Sequence, residues 1–166
     1  MEHPIIRGIL TALRPASASD VPLFVRWFAD PEIFVYWDGA PKEPDQVVRE
    51  GYTGSDRPQT EPFIVEAAGE PVGYIQYYVD DPTSGGIDMF LIPSARGRGL
   101  GPDAARALVG YLLEARGWRR VIVDPGVENA RAIRAWEKAG FTVQREWPEH
   151  PDGPALLMAI EAGAEH

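Results

Sequence analysis

Residues 94–113 read SARGRGLGPDAARALVGYLL. Glycine recurs at Gly97, Gly99 and Gly101, with Arg96 and Arg98 interleaved, and the run opens directly onto a stretch whose apolar residues recur at helical spacing. Glycine lets a backbone approach a ligand closely, and the free N–H groups of a helix's first turn bind anions along its dipole. Pro102 suits the first helical position, which has no intrahelical use for its N–H. This is the densest positive charge in a chain whose formal net charge is −9. The stretch therefore reads as an anion-binding turn followed by a helix.

Two nucleotide-loop patterns fail at this turn. A P-loop requires G-x-x-x-x-G-K-[ST], but Pro102 and Asp103 follow Gly101. A dinucleotide fingerprint requires G-x-G-x-x-G, but the spacing is G-x-G-x-G and no suitable two-strand unit begins the chain.

Working outward, 16 Pro and 17 Gly punctuate short elements. Residues 8–16 read as a first strand and 17–31 as a helix, with Ser17 and Asp20 in a capping-box arrangement and Pro31 after its end. A short helix is expected in 44–52. Residues 62–79 read as a hairpin, two apolar runs on either side of a Gly69-Glu70 turn. Strand and helix then alternate: a strand at 85–92, the glycine turn with its helix, a strand at 119–125, and a helix over 128–140 that Gly140 ends. That alternation implies parallel pairing. Strands at 141–147 and 154–162, joined by the turn PEHPDG, close the chain. The expected class is mixed α/β (α+β), antiparallel at both ends of the sheet and parallel at its centre.

At 166 residues, 45% hydrophobic and with five Trp, the chain is expected to form a single domain over 1–166. No stretch approaches the ~20 apolar residues of a membrane span, and Glu2, Pro4 and Arg7 interrupt the first apolar run. A cytoplasmic location is expected, with no membrane partner. There is no Cys, and His3, His150 and His166 have no metal-ligand spacing, so no metal is expected. The acidic balance argues against nucleic acid and suits a cationic partner, although acidity also serves solubility. A monomer or a homodimer is expected.

Arg96, Gly99 and Gly101 match R/Q-x-x-G-x-G/A. Together with GIDMFL ahead of the turn, VENARAIRAWEKAGF after the next strand and the C-terminal hairpin, this pattern resembles the GCN5-related N-acetyltransferases (GNAT) over about residues 8–161. GYIQYYV, GIDMFL, DPGVENARAIRAWEKAGF and PDGPALLM are most similar to the aminoglycoside 6'-N-acetyltransferases. The resemblance implies the GNAT fold, a mixed central sheet of about seven strands flanked by about four helices. It implies an acetyl-CoA-dependent transferase that acetylates a primary amine of a polycationic aminoglycoside directly, within a ternary complex. An amine on a protein N-terminus, a lysine or a siderophore-type metabolite is the alternative acceptor, and a non-catalytic coenzyme A-binding module the third reading.

The same resemblance distributes the chemistry. Asp88, the acidic residue of its strand, matches the family's carboxylate base. An alkyl ammonium has a pKa of ~10, so Asp88 would anchor it and pass its proton to water; the alternative is a solvent-facing edge residue. A bulge in this strand would free the backbone amides of Met89 and Leu91 for the thioester oxygen and the pantetheine arm. The amides of Gly97, Gly99, Leu100 and Gly101, with Arg96 and Arg98, would bind the diphosphate at roughly 1.5–3 kcal/mol per charge-assisted bond. Asn129 would contact the pantetheine region or cap its helix. Many members carry a Tyr as general acid where this chain has Trp136, whose indole donates a hydrogen bond but does not release a proton. Asp124 and Asp152 match acidic substrate positions, Asp152 being equally at home in a turn. Trp37 would stack on a sugar or sit in the core, beside Asp38.

Overall fold

The computed structural model describes residues 4–54 and 59–163; His3 and His166 lie outside them. The strand expected at 8–16 is a small hairpin, β1 (Ile6–Arg7) pairing antiparallel with β2 (Ala12–Pro15). Its turn is held from far along the chain. Asp103, 3% exposed in the first turn of α4 (Leu100–Gly110), accepts the N–H groups of Ile9, Leu10 and Thr11 at 3.1, 3.0 and 2.9 Å, and the Thr11 hydroxyl at 2.7 Å. Asp103→Ala leaves those donors without their acceptor. We expect it to lower the unfolding free energy by about 3 kcal/mol in urea denaturation; an unchanged midpoint would dissociate this anchor from stability.

Asp20 accepts the Ser17 N–H at 2.9 Å ahead of α1 (Val21–Phe28), as the capping arrangement predicts. Pro31 opens a further helix, α2 (Pro31–Phe34), whose N-cap Asp30 accepts the Glu32 N–H at 2.9 Å. Then come α3 (Pro44–Arg49) and the hairpin of β3 (Thr60–Ala67) and β4 (Glu70–Asp81). The hairpin turns at Ala68-Gly69, one residue earlier than expected, with φ of 51° and 81°. After β5 (Ser84–Leu91), α4, a π-helical turn at Tyr111–Ala115 and β6 (Arg120–Val123) lies α5 (Ala130–Lys138), then β7 (Thr142–Trp147) and β8 (Ala155–Glu161). Helix α4 begins two residues before Pro102; the first intrahelical bond is Asp103 N–H to the Gly99 carbonyl, so proline here also removes no helical bond.

Among the described residues the chain forms one eight-stranded sheet, ordered β1-β2-β3-β4-β5-β6-β8-β7, and five α-helices. The strand beyond the expected seven is the two-residue β1. Strands β5 and β6 pair in parallel, and β8 returns antiparallel between β6 and β7. Strand alternation divides the core into two layers. Ile75, Tyr77 and Ile87 pack with Leu108, Leu112 and Trp118 beneath α4. Tyr74 and Phe90 join Phe24, Phe28 and Tyr52 in an aromatic layer beneath α1–α3. Asp88 and Gln76 are register partners two residues along from Phe90 and Tyr74, on this aromatic face.

The feature that positions the site is where β5 and β6 part. Their pairing runs from Ser84 with Arg120 to Gly86 with Ile122 and stops there. The expected bulge in β5 is absent from 87–91, where pairing with β4 is regular; divergence of β6 opens the sheet instead. The Ile92 N–H donates to the Val72 carbonyl on the β4 side. Antiparallel alternation then turns the amides of Met89 and Leu91 toward the edge that β6 leaves.

Candidate active site

The parting of β5 and β6 lies between two adjoining clefts, of about 670 and 620 Å³. Both are lined by Tyr36, Met89, Asn129, Ala132 and Trp136, which form the wall they share.

The first cleft is acidic. Asp88, Asp124 and Asp152 line it, with no Lys or Arg among its lining residues. Asp88 is half-buried and accepts a hydrogen bond from Gln76 Nε2 at 2.9 Å, while the buried Tyr74 hydroxyl donates to Gln76 Oε1 at 2.6 Å. That chain fixes the amide's orientation, so Asp88 receives an N–H rather than facing a carbonyl oxygen. Tyr78 also lines this cleft and crosses β5 over Gly86, where any side chain would collide with the phenol ring. Burial first, then the negative charge of Asp88 and Asp124, pushes the Tyr78 hydroxyl far above its ordinary value, so it stays a neutral donor.

His150, which the sequence offered only as an isolated histidine, sits beside Asp124. Its Nε2 lies 2.7 Å from Asp124 Oδ2, and its Nδ1 accepts the Asp152 N–H at 3.0 Å. Since Nδ1 is the acceptor, the neutral ring carries its proton on Nε2 and donates it to Asp124. The Trp147 ring closes edge-on against the imidazole at 4.6 Å. The PEHPDG turn thus orients a carboxylate at the end of β6. Nothing in the spacing of three histidines signals this; only the return of β8 alongside β6 makes the contact.

The second cleft is cationic. Arg96, Arg131, Arg134 and Lys138 line it, opposed by Glu32, together with Gly97, Gly99, Leu100, Gly101, Met89 and Leu91. Gly97 and Gly99 have φ of 76° and 77°, the left-handed region that strains other residues. A side-chain carbon at Gly97 would meet nothing within 4 Å, so the turn's backbone lies open to a ligand. Glycine-lined amides at the start of α4 with four cations around them suit a diphosphate. Arg131, Arg134 and Lys138 were missed from the sequence, although their i, i+3, i+7 spacing on α5 was a legible signal.

Several expected residues take different parts. Arg98 is exposed and lines neither cleft. Arg96 is anchored: its Nε donates to the Leu91 carbonyl at 3.2 Å and its Nη2 to the Glu32 carbonyl at 2.8 Å, tying the glycine turn to β5 and α2. Burial first, then the nearby Arg131, lowers its pKa from the usual guanidinium value. Asn129 Oδ1 caps α5 by accepting the Ala132 N–H at 3.2 Å, and the residue still lines both clefts. Trp37 lines the acidic cleft while its indole donates to the Tyr52 hydroxyl at 2.7 Å and its ring packs edge-on against Tyr74 and Phe90, so it is a core aromatic exposed on one side. Asp38 lines neither cleft; its carboxylate pairs with the buried Lys42 at 2.9 Å. Trp136 is 6% exposed and packs on Phe141. Among the described residues no cluster of His, Cys, Asp and Glu could hold a metal ion, and no helix is long and apolar enough to cross a membrane.

A parted sheet with an anion cradle on one side and a carboxylate-lined cleft on the other defines a group-transfer enzyme, one that brings an anionic donor up to a cationic acceptor. The acetyltransferase (GNAT) domain model matches residues 16–148, and the chain belongs to that family. It is 35% identical over 162 residues to the aminoglycoside N(6')-acetyltransferase type 1 of Klebsiella pneumoniae, covering 88% of this chain and 80% of that protein. A structure of AAC(6')-Ib with paromomycin and acetyl-CoA superposes with a TM-score of 0.83 at 33% identity, over 92% of this chain and 94% of the other. The spermidine N-acetyltransferase of Vibrio cholerae shares the fold, with a TM-score of 0.80 at 18% identity over 92% and 95%.

Proposed function

We infer that this enzyme transfers the acetyl group of acetyl-CoA to the 6'-amine of an aminoglycoside. The observation that carries the reading is charge segregation across one shared wall. Asp88, Asp124 and Asp152 face one cleft, Arg96, Arg131, Arg134 and Lys138 the other, and the parted strand edge lies between them. The similarity to the K. pneumoniae enzyme, and to an AAC(6')-Ib structure with coenzyme A and kanamycin at 32% identity, supports it.

Each part of the chain then has a task. The amides from Gly97 to Gly101 and the α5 cations hold the diphosphate. The amides of Met89 and Leu91 would receive the thioester oxygen and the pantetheine arm of the donor, whose thioester supplies the activated acetyl group. Asp124, oriented by His150, and Asp152 hold the acceptor's remote ammonium groups, which keeps the reacting amine near Asp88. Asp88 stabilises the arriving ammonium and passes its proton to water.

The test is release of coenzyme A thiol from acetyl-CoA with kanamycin, an aminoglycoside bearing a 6'-hydroxyl in place of the amine, spermidine and a lysine peptide. Turnover is expected with kanamycin and not with the 6'-hydroxyl compound. Efficient acetylation of spermidine or the peptide with none of kanamycin would overturn the acceptor assignment.

A further inference from the structure

The thiolate of coenzyme A must depart at the wall where donor and acceptor clefts meet. Five residues line both clefts: Tyr36, Met89, Asn129, Ala132 and Trp136. A thioether and a methyl have no proton to give, and an amide or an indole donates hydrogen bonds without releasing one. Tyr36 is the one ionisable side chain of the five. It is 67% exposed, so its phenol is open to exchange with solvent.

The turn that carries Tyr36 is tied to the donor site. Its N–H donates to the Ile33 carbonyl of α2 at 3.2 Å, and the neighbouring Glu32 carbonyl is held by Arg96, which also grips the end of β5. Arg96 also lines the donor cleft together with Tyr36, so the phenol and the guanidinium face the same space. The other tyrosines near the site are otherwise engaged. Tyr74 donates to Gln76, Tyr52 receives the Trp37 indole, and Tyr78 lines the acidic cleft alone.

We propose that Tyr36 is the general acid that protonates the departing thiolate, acting across the cleft from the α5 position that Trp136 occupies. The proposal rests on the acetyl-CoA reading above. The amine nitrogen's lone pair forms the bond to the thioester carbon, and the C–S bond breaks with its electron pair on sulfur. The Tyr36 O–H proton passes to that sulfur, the proton shed by the amine leaves by Asp88 and water, and the phenolate regains a proton from solvent. Amine and acetyl-CoA thus become amide and coenzyme A thiol, with the enzyme unchanged.

Two measurements on Tyr36→Phe test this. With kanamycin as acceptor, kcat is expected to fall about 10²-fold with little change in either KM, and the double variant Tyr36→Phe/Trp136→Tyr to recover activity. In the binary complex with coenzyme A, followed by the ultraviolet absorption of the thiolate, the thiol is expected to ionise at lower pH in the wild type than in Tyr36→Phe, because the phenol donates a hydrogen bond to the thiolate. Coincident thiol titrations together with a kcat within twofold of wild type would overturn the proposal. The titration needs no acceptor. Failure of wild type to acetylate kanamycin would therefore refute the acceptor reading, while the thiol titration would still decide Tyr36.

Discussion

Asp88→Asn is expected to lower kcat/KM for kanamycin by roughly 10²–10⁴, leaving the affinity for acetyl-CoA unchanged in calorimetry. The substitution keeps the side chain's shape and removes its charge. An aliphatic amine with a pKa of ~10 reaches the cleft as ammonium at neutral pH. Its proton must be lost before nitrogen can attack, and Asp88 is the carboxylate on the face of β5 that lines the acceptor cleft. The hydrogen bond from Gln76 at 2.9 Å holds that carboxylate in place, and Tyr74 holds Gln76 in turn. Asparagine offers the ammonium a dipole where it had a full charge. Asp88 does not line the donor cleft, which is why cofactor affinity should be spared. A variant with unaltered kcat/KM would remove Asp88 from proton handling.

Gly99→Val is expected to weaken acetyl-CoA binding by about 10²-fold or more. Gly99 caps α4 at φ 77°, where a side chain costs about 1–2 kcal/mol and a β-branched one is worst placed. Crowding within the protein is not the cause, since an added carbon would come no nearer than 3.9 Å to Leu10. The loss comes from the backbone. Relieving the strain rotates the amides of the turn away from the diphosphate, and each charge-assisted bond forfeited costs a further ~1.5–3 kcal/mol. Titration calorimetry with coenzyme A measures the loss directly, and Gly99→Ala should fall between wild type and valine. Normal affinity in the valine variant would refute the cradle assignment.

The donor side was more legible in the sequence than the acceptor side. The proposed diphosphate cradle is local: its glycines, its helix start and its spacing all lie within one turn, in the run RGRGLG. Asp88 was legible for a similar reason, as the acidic residue in an apolar strand directly ahead of that turn. The cations of α5 were visible as a helical stripe but had no address until the helix was placed along the donor cleft.

The acceptor side depends on long-range pairing. His150 meets Asp124 because β8 inserts between β6 and β7, an order that strand alternation alone does not dictate. Tyr36 joins the shared wall because Arg96 draws α2 against the end of β5. Arg98 and Asp38, equally plausible by type and position, turn elsewhere, one to solvent and the other to Lys42.

By itself, then, the sequence determined the class of fold, the glycine turn that opens α4 and the strand that carries Asp88, because each is written in residues close along the chain. Only the tertiary structure decided how the site opens. Divergence of β6 beyond Gly86, and not a bulge in β5, turns the amides of Met89 and Leu91 into free donors, since backbone groups become available wherever a neighbouring strand departs.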